Sequence, residues 1–304
     1  MDRKIDLVLL TGFLGSGKTT LLNRLLDFYA DREIGILVND FGKLPVDGSL
    51  IRGEQERKGD ATSRIFEIAN GSIFCSCLTA SFILGLKYFI KECPEILFVE
   101  TSGLSDPSGL RRLLREHKIF NHFRIKETIC VLDAVRVPAL RSSLVVIDRQ
   151  IEAADLILVN KADLADQSAM AVLHDDIRKI NPGAVVENTS YCKFDFQKLD
   201  SLVPVIKNGE LQSCNSPDTR QAETILQQKE VEKDELFTFL KAIEAFVLRF
   251  KGYFSVGEEL YFCTDNSGKI ESALVEPFPG IRKGFSLICF KEDLEEIIRI
   301  WNKL

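Results

Sequence analysis

One stretch constrains this chain more than any other: Gly12-Phe13-Leu14-Gly15-Ser16-Gly17-Lys18-Thr19, of the form G-x-x-x-x-G-K-[ST]. It follows an apolar run, Leu7 to Leu10, that reads as a buried strand. It precedes Leu21-Leu22-Asn23-Arg24-Leu25-Leu26, whose spacing predicts a helix. Strand, glycine-rich turn and helix in that order make a phosphate site. The glycines let the backbone curl until its N–H groups point inward at anionic oxygens, and the helix adds the positive end of its dipole. Gly12, Gly15, Ser16, Gly17, Lys18, Thr19 and Thr20 are therefore the phosphate-binding candidates. Lys18 would reach the β- and γ-phosphates, and the Thr19 hydroxyl would ligate Mg²⁺. An ordinary glycine-rich turn is the alternative, and the surrounding strand and helix weigh against it.

Further apolar runs follow at regular intervals: Ile34 to Asn39, Ile65 to Ile68, Ile96 to Glu100, Thr128 to Asp133, Leu156 to Asn160 and Ala184 to Asn188. Short all-apolar strands alternating with helical stretches indicate a parallel sheet covered on both faces. The expected fold class is therefore α/β, a P-loop NTPase with a doubly wound, mainly parallel sheet, over residues 1–206. From 207 to 234 apolar residues are few, which reads as an exposed polar linker, helical at its end. An amphipathic segment from Leu236, four apolar runs and a closing Asp293–Trp301 helix predict a small C-terminal α+β domain over 235–304.

The length of 304 residues and the 45% hydrophobic content suffice for two cored units. A net charge of −6 gives no basic footprint, so a nucleic-acid partner is not expected. No apolar stretch approaches the roughly 18 residues of a membrane span, and the N-terminus does not read as a signal peptide. The eight cysteines then point to a reducing cytoplasm. Cys130 and Cys289 lie inside apolar runs, as small buried side chains do.

Two strand ends carry further chemistry, as the carboxyl ends of parallel strands do. Asn160-Lys161-Ala162-Asp163 has the form N-K-x-D. A carboxylate there can accept both the ring N–H and the exocyclic amine of guanine, an arrangement adenine cannot offer. Asn160 and Lys161 would support the base and the loop. Glu100, followed by Gly103, can hold Mg²⁺ directly or through water. Asp47 is a weaker candidate for the same ion. The alternatives are a solvated loop and a capping carboxylate.

Taken together, these residues resemble the CobW-like GTPases, relatives of the HypB and UreG metallochaperone GTPases. The resemblance rests on Gly12–Thr19, Val38-Asn39-Asp40-Phe41-Gly42 with Asp47-Gly48, and Glu100-Thr101-Ser102-Gly103-Leu104-Ser105-Asp106-Pro107. It continues through Asp133-Ala134, Gln150-Ile151-Glu152-Ala153-Ala154-Asp155, Asn160–Asp163 and Arg249-Phe250-Lys251-Gly252. It implies Mg²⁺-dependent hydrolysis of GTP to GDP, with Lys18, Thr19 and Glu100 in the catalytic set. It also implies a client, either a metalloenzyme or a cobalamin-dependent protein; a nucleotide-dependent homodimer is a further expectation.

The family's N-G-C-x-C-C is here Asn70-Gly71-Ser72-Ile73-Phe74-Cys75, with an added Cys77, and N-E-F-G-E is Asn39-Asp40-Phe41-Gly42-Lys43. Cys75 and Cys77, with an oxygen from Asp40, could form part of a Zn²⁺ or Co²⁺ site, but C-x-C supplies only two of the ligands a tetrahedral site wants. They could equally be two loop thiols without a ligand, and a reversible redox role is a smaller third option. A GTP-dependent escort that carries no metal is therefore the competing reading. A metabolic kinase is a weaker one, because Asp163 with Asn160 argues for guanine.

Overall fold

The computed structural model describes residues 3–40, 63–69, 79–201, 221–266, 268–277, 281 and 283–304. The chain forms two compact units, one holding the described residues through 201 and the other those from 221.

Among the described residues, the first unit is built on seven parallel strands. In chain order these are β1 (Ile5–Thr11), β2 (Ile34–Asp40), β3 (Ser63–Ala69), β4 (Ile96–Glu100), β5 (Phe123–Asp133), β6 (Leu156–Asn160) and β7 (Val185–Asn188). Their order across the sheet is β3-β2-β4-β1-β5-β6-β7. The helices between them are α1 (Lys18–Phe28), α2 (Thr79–Glu92), α3 (Leu110–Glu116), α4 (Val137–Leu140), α5 (Val145–Ala153) and α6 (Gln167–Ile180).

The strands are continuous apolar runs because both sheet faces are covered. Along β1 the side chains alternate between two cores. Leu7 and Leu9 pack with Phe82, Leu86 and Phe89 of α2 and with Leu110 and Leu114 of α3. Val8 and Leu10 pack with Leu21, Leu22 and Leu25 of α1 on the other face. Burying a Leu or Phe side chain contributes about 1.5–3 kcal/mol, so two filled faces hold the sheet rigid beneath its loops.

β1 lies between β4 and β5, and register brings chemistry together at their carboxyl ends. Leu10 pairs with Glu100 and Thr11 with Cys130, while Asp133 pairs with Asn160. The chain leaves β1 toward β2 on one side and later fills β5 to β7 on the other, so the crevice beside β1 is where a ligand fits such a sheet.

The second unit is an antiparallel sheet of order β11-β10-β9-β12-β8. Its elements are β8 (Gln221–Gln227), α7 (Lys233–Ile243), β9 (Val247–Val256), β10 (Glu259–Asn266), β11 (Lys269–Leu274), β12 (Gly284–Phe290) and α8 (Lys291–Asn302). Leu236, Phe239 and Leu240 of α7 and Ile297 and Trp301 of α8 pack on Phe250, Phe254, Phe285 and Leu287 of the sheet. Phe254 and Phe285 are stacked, their centroids 4.9 Å apart.

One expectation is corrected here. The stretch 207–234 is not a linker throughout, because 221–227 form β8, paired along its length with β12. The strand was hidden in the composition because it sits at the edge of the sheet. Ala222 and Leu226 join the core, while Gln221, Glu223, Thr224 and Gln227 make the stretch read as polar. The end of the same stretch opens α7, where Glu232 and Glu235 form a reciprocal capping box.

Candidate functional site

The phosphate loop joins β1 to α1 through Gly17, which stands at φ 112° as the residue before the helix. A Cβ at Gly17 would lie 2.5 Å from the Asn160 amide nitrogen, so both conformation and space require glycine. The first N–H groups of α1, at Lys18, Thr19 and Thr20, stand at the helix's amino end and carry its positive pole. Lys18 is buried, and its Nζ donates to the Gly12 carbonyl at 2.9 Å and the Phe13 carbonyl at 3.1 Å. The ammonium thus spans the concave side of its own loop, where it can exchange carbonyl oxygens for phosphate oxygens. The Ser16 hydroxyl is buried with no hydrogen-bond partner among the described residues.

At the end of β4 the buried Glu100 accepts a hydrogen bond from Thr19 Oγ1 at 3.0 Å. A hydroxyl and a carboxylate side by side form a hard-oxygen donor pair that suits Mg²⁺. The two residues read separately from the sequence are thus brought into contact. The loop that follows is buried from Thr101 to Gly103 and at Ser105 and Asp106. Gly103 presses on the phosphate loop, where a Cβ would come within 2.5 Å of the Leu14 nitrogen.

At the end of β6, Asn160 uses its whole amide. Its Nδ2 donates to the Ser16 carbonyl at 2.8 Å, and its Oδ1 accepts from Cys192 N at 2.9 Å and Thr189 Oγ1 at 3.3 Å. Asn160 is therefore a brace between loops. Lys161 takes φ 60° and pairs its Nζ with Asp133 Oδ2 at 2.9 Å. The other oxygen of Asp133 accepts from Val135 N and Arg136 N at 2.9 and 3.1 Å. Asp163 stands exposed just beyond, accepting a hydrogen bond from the Ser190 hydroxyl.

The segment Thr189 to Cys192, which sequence reasoning did not single out, completes this cluster. Tyr191 and Cys192 both have φ 54°, a conformation that costs a non-glycine residue about 1–3 kcal/mol. Its surroundings enforce it. Asn160 Oδ1 holds Cys192 N, Arg24 Nε of α1 donates to the Tyr191 carbonyl at 2.6 Å, and Cys192 Sγ donates to the Gly17 carbonyl at 3.5 Å. Burial pushes the Cys192 thiol up to about 12, with Arg24 and Lys161 pulling it the other way. The thiol is thus neutral packing against the phosphate loop. The one local signal was the pair Thr189-Ser190 directly after a strand, too short a pattern to read alone.

The candidate transition-metal ligands were not brought together in what is described. Asp40 closes β2 with its side chain outside the described set, and Asp47, Cys75 and Cys77 lie wholly outside it. Among the described residues there is no group of three or more His, Cys, Asp or Glu side chains that could hold a metal ion. No described helix is long and apolar enough to cross a membrane.

A parallel sheet with a phosphate loop after its first strand, a hydroxyl–carboxylate pair beside that loop and an N-K-x-D turn braced against it define a P-loop NTPase domain. The family described as "CobW/HypB/UreG, nucleotide-binding domain" matches residues 6–188, and the chain belongs to it. The chain is 31% identical over 212 residues to the zinc chaperone CobW of Pseudomonas aeruginosa, covering 60% of this chain and 55% of that one. It is 30% identical over 197 residues to the zinc chaperone YjiA of Escherichia coli, covering 63% and 59%. It is 27% identical over 222 residues to the zinc-regulated GTPase metalloprotein activator 1 of Saccharomyces cerevisiae, covering 65% and 51%. The chain therefore spans between about half and three fifths of the length of these relatives. The crystal structure of the Zn(II)-bound YjiA GTPase from E. coli aligns over 100% of this chain and 99% of that chain, with a TM-score of 0.50 at 20% identity, a likeness of fold alone.

Proposed function

We propose that this chain binds GTP with Mg²⁺, hydrolyses it to GDP and phosphate, and uses that cycle to handle a thiophilic metal for a client protein. The observation that carries the nucleotide half is the Asn160 brace, which joins the N-K-x-D turn to the phosphate loop through the Ser16 carbonyl. A single ligand with a guanine at one end and phosphates at the other fits that separation of roles. Asp163 would accept the two guanine N–H groups, and the Lys161–Asp133 pair would keep the turn in shape. Lys18 and the first N–H groups of α1 would stabilise negative charge on the phosphates as the terminal bond breaks. Thr19 and Glu100 would hold Mg²⁺, which supplies charge neutralisation on the β- and γ-phosphate oxygens when bound.

Zinc is the favoured cargo, because the named relatives carry zinc in their names. Cys75 and Cys77 would supply the soft ligands and Asp40 an oxygen. A cytoplasmic location, a nucleotide-dependent homodimer and a first domain that closes near residue 206 belong to the same reading. The escort reading, GTP-dependent but without metal, keeps a specific support: Ser72 and Phe74 stand where the family has thiols. Paired calorimetric titrations decide between the two. Zn²⁺ is titrated with and without a non-hydrolysable GTP analogue, on wild type and on Cys75→Ser/Cys77→Ser. Coupled metal and nucleotide binding must be reciprocal. Zinc binding that is identical in wild type and double mutant removes these thiols and leaves the escort.

A further inference from the structure

The loop after β4 is gripped from two sides. On one side Gly103 lies against Leu14 of the phosphate loop. Lys18, which reaches the β- and γ-phosphates in such loops, is bonded to the neighbouring Gly12 and Phe13 carbonyls. Gly103 therefore packs beside the part of the loop that Lys18 touches, where the terminal phosphate of the proposed GTP would lie. On the other side is Gln150 of α5, fully buried, whose Nε2 donates to the Gly103 carbonyl at 3.0 Å and the Ser105 carbonyl at 3.2 Å. Its amide oxygen is buried with no hydrogen-bond partner among the described residues.

A buried amide with an orphaned oxygen is a poor way to stabilise a fold, since an apolar side chain of the same length avoids that desolvation. What the amide adds is a pair of donors aimed at two carbonyls of one loop. The helix that carries it is fixed independently. Asn181 Nδ2 donates to the Ile151 and Ala154 carbonyls, both at 2.8 Å, and just beyond, the Asp155 carboxylate accepts from Thr128 N at 2.8 Å. Gln150 thus stands on a rigid support and the loop is the part that can yield.

We propose that Gln150 is a positioning residue that sets Gly103 against the phosphate loop, so that the site favours the triphosphate over the diphosphate and aligns it for hydrolysis. This rests on the GTPase reading above. The test uses full-length Gln150→Met, which keeps the length and loses both donors, and Gln150→Glu, which regains one donor when protonated. Each is assayed for GDP affinity, affinity for a non-hydrolysable GTP analogue, and kcat and KM for GTP between pH 6 and 8. Gln150→Met should hold GDP affinity within about threefold while analogue affinity and kcat each fall about tenfold. Gln150→Glu should match it at pH 8 and recover kcat relative to wild type at pH 6, because burial raises a carboxyl's pKa. Unchanged analogue affinity and kcat in Gln150→Met overturn the proposal. Equal losses for GDP and analogue, with no recovery of Gln150→Glu at low pH, reduce Gln150 to ordinary packing and overturn it too. A wild type that neither binds the analogue nor hydrolyses GTP refutes the GTPase reading instead.

Discussion

At the scale of single residues the site divides into groups that would touch the ligand and groups that hold those in place. Asp163 is exposed and tethered through Ser190, and the proposed guanine recognition rests on it. Asp163→Asn should lower affinity for GTP and GDP by roughly 10²-fold or more and shift preference toward xanthine nucleotides, since a site built for a hydrogen bond rejects a ligand lacking it. Competition binding with GTP, XTP and ATP reads this out, and equal affinity of the wild type for ATP and GTP would refute it. Lys18→Ala should abolish hydrolysis in a phosphate-release assay, because a charge-assisted contact in a nearly dry site is lost. The described thiols allow a further prediction. Burial pushes Cys192 and Cys263 up to about 12 and Cys289 up to about 11, with Asp293 adding to the last. They should resist iodoacetamide at pH 8 while exposed Cys93 reacts, because the thiolate is the nucleophile. Mass mapping of native and denatured protein checks this.

At the scale of elements, α5 is the connector. Its carboxyl end is closed by Asn181, whose side chain serves carbonyls on either side of the helix end at 2.8 Å. Asn181→Ala would remove one side-chain donor from each of these two carbonyls, and the two lost hydrogen bonds should cost about 1–3 kcal/mol in denaturant unfolding. A stability equal to wild type would mean that the helix end is held elsewhere. How much of each element was legible follows from its position. β4 and β6 are buried at all five positions, so their apolar runs announced them. β8 is an edge strand with few inward positions and looked like polar linker. The Thr189–Cys192 turn was illegible for another reason: its contacts reach Gly17 and Arg24, 175 and 167 residues away in sequence.

For the whole molecule, the two units have separate cores, which predicts separable stability. Phe254 is fully buried and stacked on Phe285, so Phe254→Ala should cost about 3–5 kcal/mol. Calorimetry should show that loss in one transition while GDP affinity stays at the wild-type value. A fragment of residues 1–205 should still bind GTP by the same logic. Loss of binding in a folded fragment would mean that the second unit completes the site.

The phosphate loop, the N-K-x-D turn, the Glu100 strand end and the alternation of strand and helix were all determined by local sequence. Each depends on residues a few positions apart: glycines where the backbone must curl, apolar runs where both faces are covered, and polar residues where a strand stops. Tertiary structure alone decided the rest. The sheet order put β1 between β4 and β5, which brought Thr19 to Glu100 across 81 residues and Asn160 to Ser16 across 144. It also gave Gln150 its two carbonyl partners and Cys192 its place against Gly17. The physical reason is the same in each case. A hydrogen bond between distant segments leaves no periodicity in either, so it becomes readable only when the cores on both faces of the sheet have set where each strand ends.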